Sequence, residues 1–279
     1  MRESSNPVMR GVVRDNQTGY AGFGAGMAGA GQAAMFNQYG QPIPQAPSTS
    51  RQLTIDDVVT KTAITLGVLT VSAIVSYFLS SAVPGLAGPL CTVGALVGLG
   101  LVLFATFGRR QDNPAVVLAY AVFEGLFVGA VSYVFANLVV SGANAGALIG
   151  QAVLGTFGVF FGMLFVYKIG AVRVTPRFTR MLVAGLVGVM VLMIGNLIMR
   201  LLTDGAGPLR DGGPIAIIFS LVCIALAAFS FLLDFDSADR LIRAGAPEKA
   251  AWGVALGLTV TLVWLYVEIL RLLSYFNNN

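Results

Sequence analysis

There is no histidine anywhere in this 279-residue sequence. Imidazole general-base catalysis, Ser–His and Cys–His dyads and histidine-bearing zinc sites are therefore excluded. Cysteine is nearly absent as well. Cys91 and Cys223 are the two thiols, and both fall inside apolar runs, so neither a disulfide framework nor a CxxC metal site is available. Charge is scarce: 11% of residues are charged, where a soluble domain carries about 25%. Phosphate-cradling GxxxxGK[ST] loops, the GxGxxG fingerprint and the GxSxG elbow do not occur in a usable strand–turn–helix context. An enzyme would have to work through carboxylates alone. The expectation is a non-enzyme without an organic cofactor.

What the chain has in quantity is apolar surface, at 56% hydrophobic residues and a mean hydropathy of +0.81. A spanning helix needs about 20 apolar residues. Runs at about Thr62–Ala82, Gly88–Phe107, Ala115–Val140, Ala147–Tyr167, Met181–Leu202, Pro214–Leu233 and Trp252–Phe276 meet that length. The fold class expected is an all-α polytopic membrane protein of seven transmembrane helices, occupying residues 51–279. Residues 1–50 are rich in Gly, Ala, Gln, Asn and Pro without hydrophobic periodicity, and predict a disordered cytoplasmic tail. That tail lacks the apolar core of a signal peptide, so the first span doubles as the targeting signal. Thr54-Ile55-Asp56-Asp57 reads as a helix start, with Thr54 as N-cap of a short amphipathic helix leading into the membrane.

Basic residues cluster in alternate connections: Arg51 and Lys61, Arg109 and Arg110, Lys168, Arg173, Arg177 and Arg180, then Arg240, Arg243 and Lys249. The intervening connections hold only Arg200 and Arg210. The positive-inside rule puts the N-terminus in the cytoplasm, and an odd number of spans then puts the C-terminus outside. Usage of Ala, Gly, Val and Arg fits a bacterial inner membrane. The net charge of +4 belongs to these loops rather than to a nucleic-acid surface. The partners implied are the lipid bilayer and, in one reading below, another membrane protein. Small residues recur four apart at Gly94/Gly98, Gly125/Gly129, Gly158/Gly162 and Gly253/Gly257. Such spacing lets helices approach closely, although 34 glycines also produce such pairs by chance.

The acids within or beside the spans carry the functional reading. A charge in the bilayer interior costs at least about 2.5–3.5 kcal/mol on insertion scales, so its retention points to a site. Glu124 lies about 15 Å into the third helix, which starts at Asn113-Pro114. It is expected to face the bundle interior rather than pair with Arg109 or Arg110. Glu268 continues a stripe of Gly253, Gly257, Thr261 and Trp264 along one face of the last span. Its alternative is a local i,i+3 pair with Arg271. Asp234, Asp236 and Asp239 end the sixth span. The i,i+4 spacing to Arg240 and Arg243 accounts for Asp239 as part of a solvated network, whereas Asp234 and Asp236 lie deeper. Clustered carboxylates titrate as a coupled unit, and oxygen-only ligands suit Ca²⁺, which protonation would displace.

These residues resemble a known family. Phe123-Glu124-Gly125-Leu126, followed by Gln151-Ala-Val-Leu-Gly-Thr156, is similar to the FxEGLxxG and QAxxGT elements of the transmembrane Bax-inhibitor-motif proteins. Phe235-Asp236-Ser237 resembles their FDT/FDS element, and Leu265-Tyr-Val-Glu268-Ile-Leu-Arg-Leu-Leu273 their final LYLDFxNLFxxLL, with Glu in place of Asp. Ser4-Ser-Asn-Pro7 and the closing segment suggest an actinobacterial-type branch. The resemblance implies seven helices with the last at the centre. It also implies a pH-sensing acid pair on the last two helices, Asp236 and Glu268 here, that controls a Ca²⁺ leak and provides its Ca²⁺ ligands. The interval from Asp236 to Glu268 exceeds the family pattern by about two helical turns, or about 10 Å, and this leaves two alternatives: Asp234 as the partner, or a site without a direct acid pair.

The function expected is a pH-sensitive cation leak, with Ca²⁺ as the ion and Asp236, Glu268, Asp234 and Glu124 as the ion- and proton-sensing residues. The alternative is a membrane-embedded regulatory protein that binds another membrane protein, such as a protease or stress factor, through the tail and the glycine-rich helix faces. An intramembrane aspartyl hydrolase is disfavoured, because only one acid lies deep in the last span and no GxGD-like element is present.

Overall fold

The computed structural model describes residues 51–139, 145–203 and 207–278; the expected tail at 1–50 lies outside the described residues. Among the described residues, seven helices long and apolar enough to cross a membrane follow one another. They are α1 (Ile55–Ala82), α2 (Ala87–Phe107), α3 (Pro114–Tyr133), α4 (Ala145–Lys168), α5 (Pro176–Thr203), α6 (Pro214–Arg243) and α7 (Ala250–Asn278). A 3₁₀ turn at Pro84–Leu86 joins α1 to α2, and α3 relaxes into a π-helical turn at Val134–Val139.

Local chemistry sets the ends. Thr54 is extended and caps α1: its hydroxyl accepts from the Asp57 amide, and the Asp57 carboxylate accepts from the Thr54 amide at 3.0 Å. Two of the four orphan amides of the first turn are satisfied this way. Asn113 caps α3, its side-chain oxygen accepting from the Ala115 amide at 3.0 Å, with Pro114 at the first helical position. α6 stops at Ala244, after which Gly245 takes a left-handed φ of +64°, a conformation that costs glycine nothing.

α1 and α6 extend furthest beyond the spans expected from the sequence. α1 is continuous from Ile55, so the amphipathic entry helix and the first span are one element. α6 continues about three turns beyond Leu233, to Arg243. The acids that follow the apolar span lie on this extension at the spacing read from the sequence: Asp236 pairs with Arg240 at 2.7 Å and Asp239 with Arg243 at 2.8 Å, both i,i+4 along the helix surface.

The last helix is the hub. In its most apolar stretch 72% of the residues of α7 are buried, against 50% for α3 and 11% for α4, and it packs on α6, α1, α4 and α3. The protein is an all-α, seven-helix membrane protein with α7 at the centre. α1 and α3 meet where glycine removes the side chain. A Cβ on Gly129 would lie 2.8 Å from the Ser76 Cβ and one on Gly125 would lie 2.6 Å from the Ser72 Cβ. Across the same interface the Ser72 and Ser76 hydroxyls donate to the Val122 and Leu126 carbonyls at 2.7 and 2.6 Å. Gly94 admits Phe127 of α3 in the same way, whereas Gly158 and Gly162 face open space. α5 packs on α6, with Met181, Met190 and Leu197 exposed along its length; in a bilayer these are lipid contacts.

At the end of the bundle where α1 begins, Arg51–Leu53 runs antiparallel to Ala246–Glu248. Leu53 N–H donates to the Ala246 carbonyl at 2.8 Å and Glu248 N–H to the Arg51 carbonyl at 2.9 Å. Lys61 reaches Glu248 at 2.6 Å, and Arg51 closes on Asp57. This clasp ties the start of α1 to the α6–α7 turn.

Candidate functional site

The acids of the last two helices occupy two levels of the bundle. Glu268 belongs to α7 and is 1% exposed. Arg271, one turn on, donates from Nη1 to Oε1 at 2.6 Å, and Arg210 approaches the same oxygen with Nη2 at 3.5 Å. Each guanidinium lies over an aromatic ring, Arg271 on Phe135 at 5.9 Å and Arg210 on Phe219 at 5.8 Å. The local pair with Arg271 and burial among the helices, set as alternatives by the sequence, are both present. The other carboxylate oxygen, Oε2, is buried without a hydrogen-bond partner, as are Arg210 Nη1 and the Ser220 hydroxyl. Ser220 and Cys223 on α6 bring their fully buried side chains to this carboxylate.

Arg210 reaches the site from the α5–α6 connection, within a turn flanked by left-handed glycines, Gly207 at φ +73° and Gly212 at +80°. Arg210 N–H donates to the Gly207 carbonyl at 3.0 Å, and Leu209 N–H donates to Asn196 Oδ1 at 3.1 Å. Sequence reasoning missed this residue as a member of the site. The available signal was that Arg210, with Arg200, is an exception in connections otherwise free of basic residues.

The second level holds Asp234 of α6. Thr261 of α7 donates its hydroxyl to Asp234 Oδ2 at 2.7 Å and also reaches the Gly257 carbonyl at 3.2 Å. Asp234 lines a cavity of 420 Å³ together with Ser237, Gly253, Gly257, Arg109 and Asp112. Gly257 faces Asp234 across this wall, and a Cβ on it would stand in ordinary contact, 3.8 Å from Asp234 Oδ1. At the rim, Lys249 pairs with Asp112 at 3.1 Å, and its hydrogen bond holds the Asp112 carboxyl below the usual carboxylate range.

The two levels do not meet. α6 and α7 are antiparallel across a short turn, with Thr261 opposite Asp234. Glu268 lies seven residues further along, about 10 Å of helix, and Asp236 is displaced the other way, for an axial separation of about 13 Å. Phe231, Leu262 and Leu265 of one apolar cluster fill the space between the levels. The expected Asp236–Glu268 pair is therefore not formed, and neither is the alternative Asp234–Glu268 pair. Asp236 is held by Arg240 and Glu268 by two arginines, so they share no ligand position for Ca²⁺. The α6–α7 register supplies the physical reason, and it is the extra length anticipated between them. Among the described residues no group of three or more acids, cysteines or histidines could hold a metal.

Glu124 lies apart from both levels. It is half-buried on α3, one turn after Tyr120, with its carboxylate against Gly98 of α2. Arg109 and Arg110 do not pair with it, and neither does any other cation of the described residues.

A family model described as Bax inhibitor 1 like matches residues 6–278 of the chain. No curated protein matches it.

Proposed function

The chain belongs to the Bax inhibitor 1 like family, and we propose that it is a pH-sensitive cation leak, with Ca²⁺ as the permeant ion. One observation carries this reading: a carboxylate 1% exposed stands in the central helix of a membrane bundle, held by two arginines. A charge kept at such a cost has a use. Protonation at the unpartnered Oε2 would remove the charge that holds Arg210 and Arg271, and leave two cations facing each other in an apolar setting. That repulsion biases a two-state helix arrangement toward an open form. Asp234, lining its cavity beside Asp112 and Arg109, would offer a carboxylate to cations at the opposite end, the end that the positive-inside pattern favours as cytoplasmic. A hard cation prefers such oxygen donors and completes its shell with water and carbonyls.

The test is Ca²⁺ flux in liposomes holding the purified protein, between about pH 5 and 8, beside Glu268→Gln and Asp234→Asn. The expected result is a pH-dependent flux, flattened in its pH response by Glu268→Gln and reduced by Asp234→Asn. Folded protein that passes no Ca²⁺ at any pH would remove the leak and favour a regulatory protein that binds another membrane protein.

A further inference from the structure

The contact between Arg210 and Glu268 is only half made. An arginine fork meets a carboxylate best through two parallel N–H···O bonds. Here Arg210 offers one nitrogen at 3.5 Å, to the oxygen that Arg271 already binds at 2.6 Å. The second nitrogen of Arg210 and the second oxygen of Glu268 are both buried and both unpartnered. Arg271 is fixed to the same helix as its acid; Arg210 comes from a connection and is the removable cation of the two.

The described part of the connection, residues 207–213, is a compact strap. Left-handed glycines at 207 and 212 bound it. Leu209 packs with Val189, Phe219 and Cys223, and Asp211 turns back to accept from the Gly213 amide at 2.9 Å. Beneath lie the fully buried Ser220 and Cys223 of α6, with Glu268 and Tyr275 of α7. The charged and titratable groups facing Glu268 are thus Arg210 and, further out, Asp211 from the strap, Cys223 from α6, and Arg271 and Tyr275 from α7.

We propose that Gly207–Gly213 is a plug over this end of the bundle, with Arg210 as a tethered cation occupying the carboxylate that a permeant cation would otherwise engage. With the Glu268 charge intact the plug stays seated. With it neutralised, the strap keeps the packing of Leu209, its backbone bond to Asn196 and the Phe219 ring but loses its ionic anchor, and it lifts. The consequence for ion flow rests on the leak reading above. The lifting itself does not, because Cys223 beneath the strap reports it directly.

The experiment uses the full chain in lipid vesicles with Cys91→Ala, so that Cys223 is the sole thiol. A small charged methanethiosulfonate is added from the strap side. The parent should label slowly, and Arg210→Gln should label at least about tenfold faster, as loss of one partner of a buried pair predicts. Glu268→Gln should match it, the double variant should be no faster than either single one, and Arg210→Lys should stay near the parent. Unchanged labelling in folded Arg210→Gln overturns the plug. So does equal acceleration at Cys91 in a Cys223→Ser background, which would mean general loosening. Faster Cys223 labelling without Ca²⁺ flux in any variant removes the leak and leaves the plug standing. Wild-type flux with Cys223 labelling unmoved by Arg210→Gln does the reverse.

Discussion

A carboxylate among Leu, Val and Ile is tolerable only if its charge is answered within a few ångströms, and at Glu268 the answer is two guanidinium groups. Removing one member of such a cluster leaves the others buried and unpaired, which costs about 3–5 kcal/mol. Glu268→Ala should therefore lower thermal stability by that order, and Glu268→Gln by less, because the amide keeps an acceptor for Arg271. Melting curves of the purified protein in detergent check both. Glycine makes a second residue-scale case. Gly129→Ala places a methyl against Ser76 and the α1 backbone, whereas Gly100 faces open space. The first should destabilise by about 1–3 kcal/mol; the second should be neutral or slightly stabilising through helix propensity. Equal melting temperatures would mean that α1 and α3 do not meet as closely as described. Glu268 and its Arg271 neighbour were legible in the sequence, because burial and an i,i+3 spacing are local properties. Arg210 was not, since a partner 58 positions away follows from the packing of α6 and α7 and leaves no periodic trace.

At the scale of elements, charges mislead when they are read only as span ends. Asp236 and Asp239 lie beyond the apolar sixth span, yet each finds a cation one turn ahead, as the i,i+4 spacing predicts, and α6 runs on to Arg243. The start of α1 was legible from Thr54 and Asp57, because a capping box is a local code. The clasp it forms with the α6–α7 turn was not, because it joins distant segments through backbone hydrogen bonds. That clasp has a pH signature. The hydrogen bond from Lys61, ahead of its charge, holds the Glu248 carboxyl below its ordinary value of 4.5. A group depressed in the folded state contributes stability above its unfolded value and loses it as pH falls through the folded one. Wild type should thus be more stable than Glu248→Gln near neutrality, with the difference closing below about pH 4.5 and shrinking in high salt. Parallel acid titrations of melting temperature decide it; a gap constant with pH would remove the ion pair from the clasp.

For the whole molecule, the seven spans and the central last helix were readable from apolar run lengths, the polar stripe on α7 and the motif resemblance, since each is a property of one helix at a time. The axial offset between α6 and α7 is a property of two helices and the turn that joins them. It puts the acids at two levels, Asp234 against Thr261 and Glu268 against the arginines, with Phe231, Leu262 and Leu265 between. Two sites that far apart with no shared partner should act independently, and distant substitutions add to within about 0.3–0.5 kcal/mol. Asp234→Asn, Glu268→Gln and the double variant, compared by thermal stability at neutral pH, should therefore show no interaction energy beyond that margin. An interaction energy of about 1 kcal/mol or more would mean that the carboxylates approach each other, as the directly paired arrangement requires. Additivity in stability joined to non-additivity in Ca²⁺ flux would place their communication in the open form alone. Protons would then be read at Glu268 and cations gathered at Asp234, coupled only when the apolar layer between them parts.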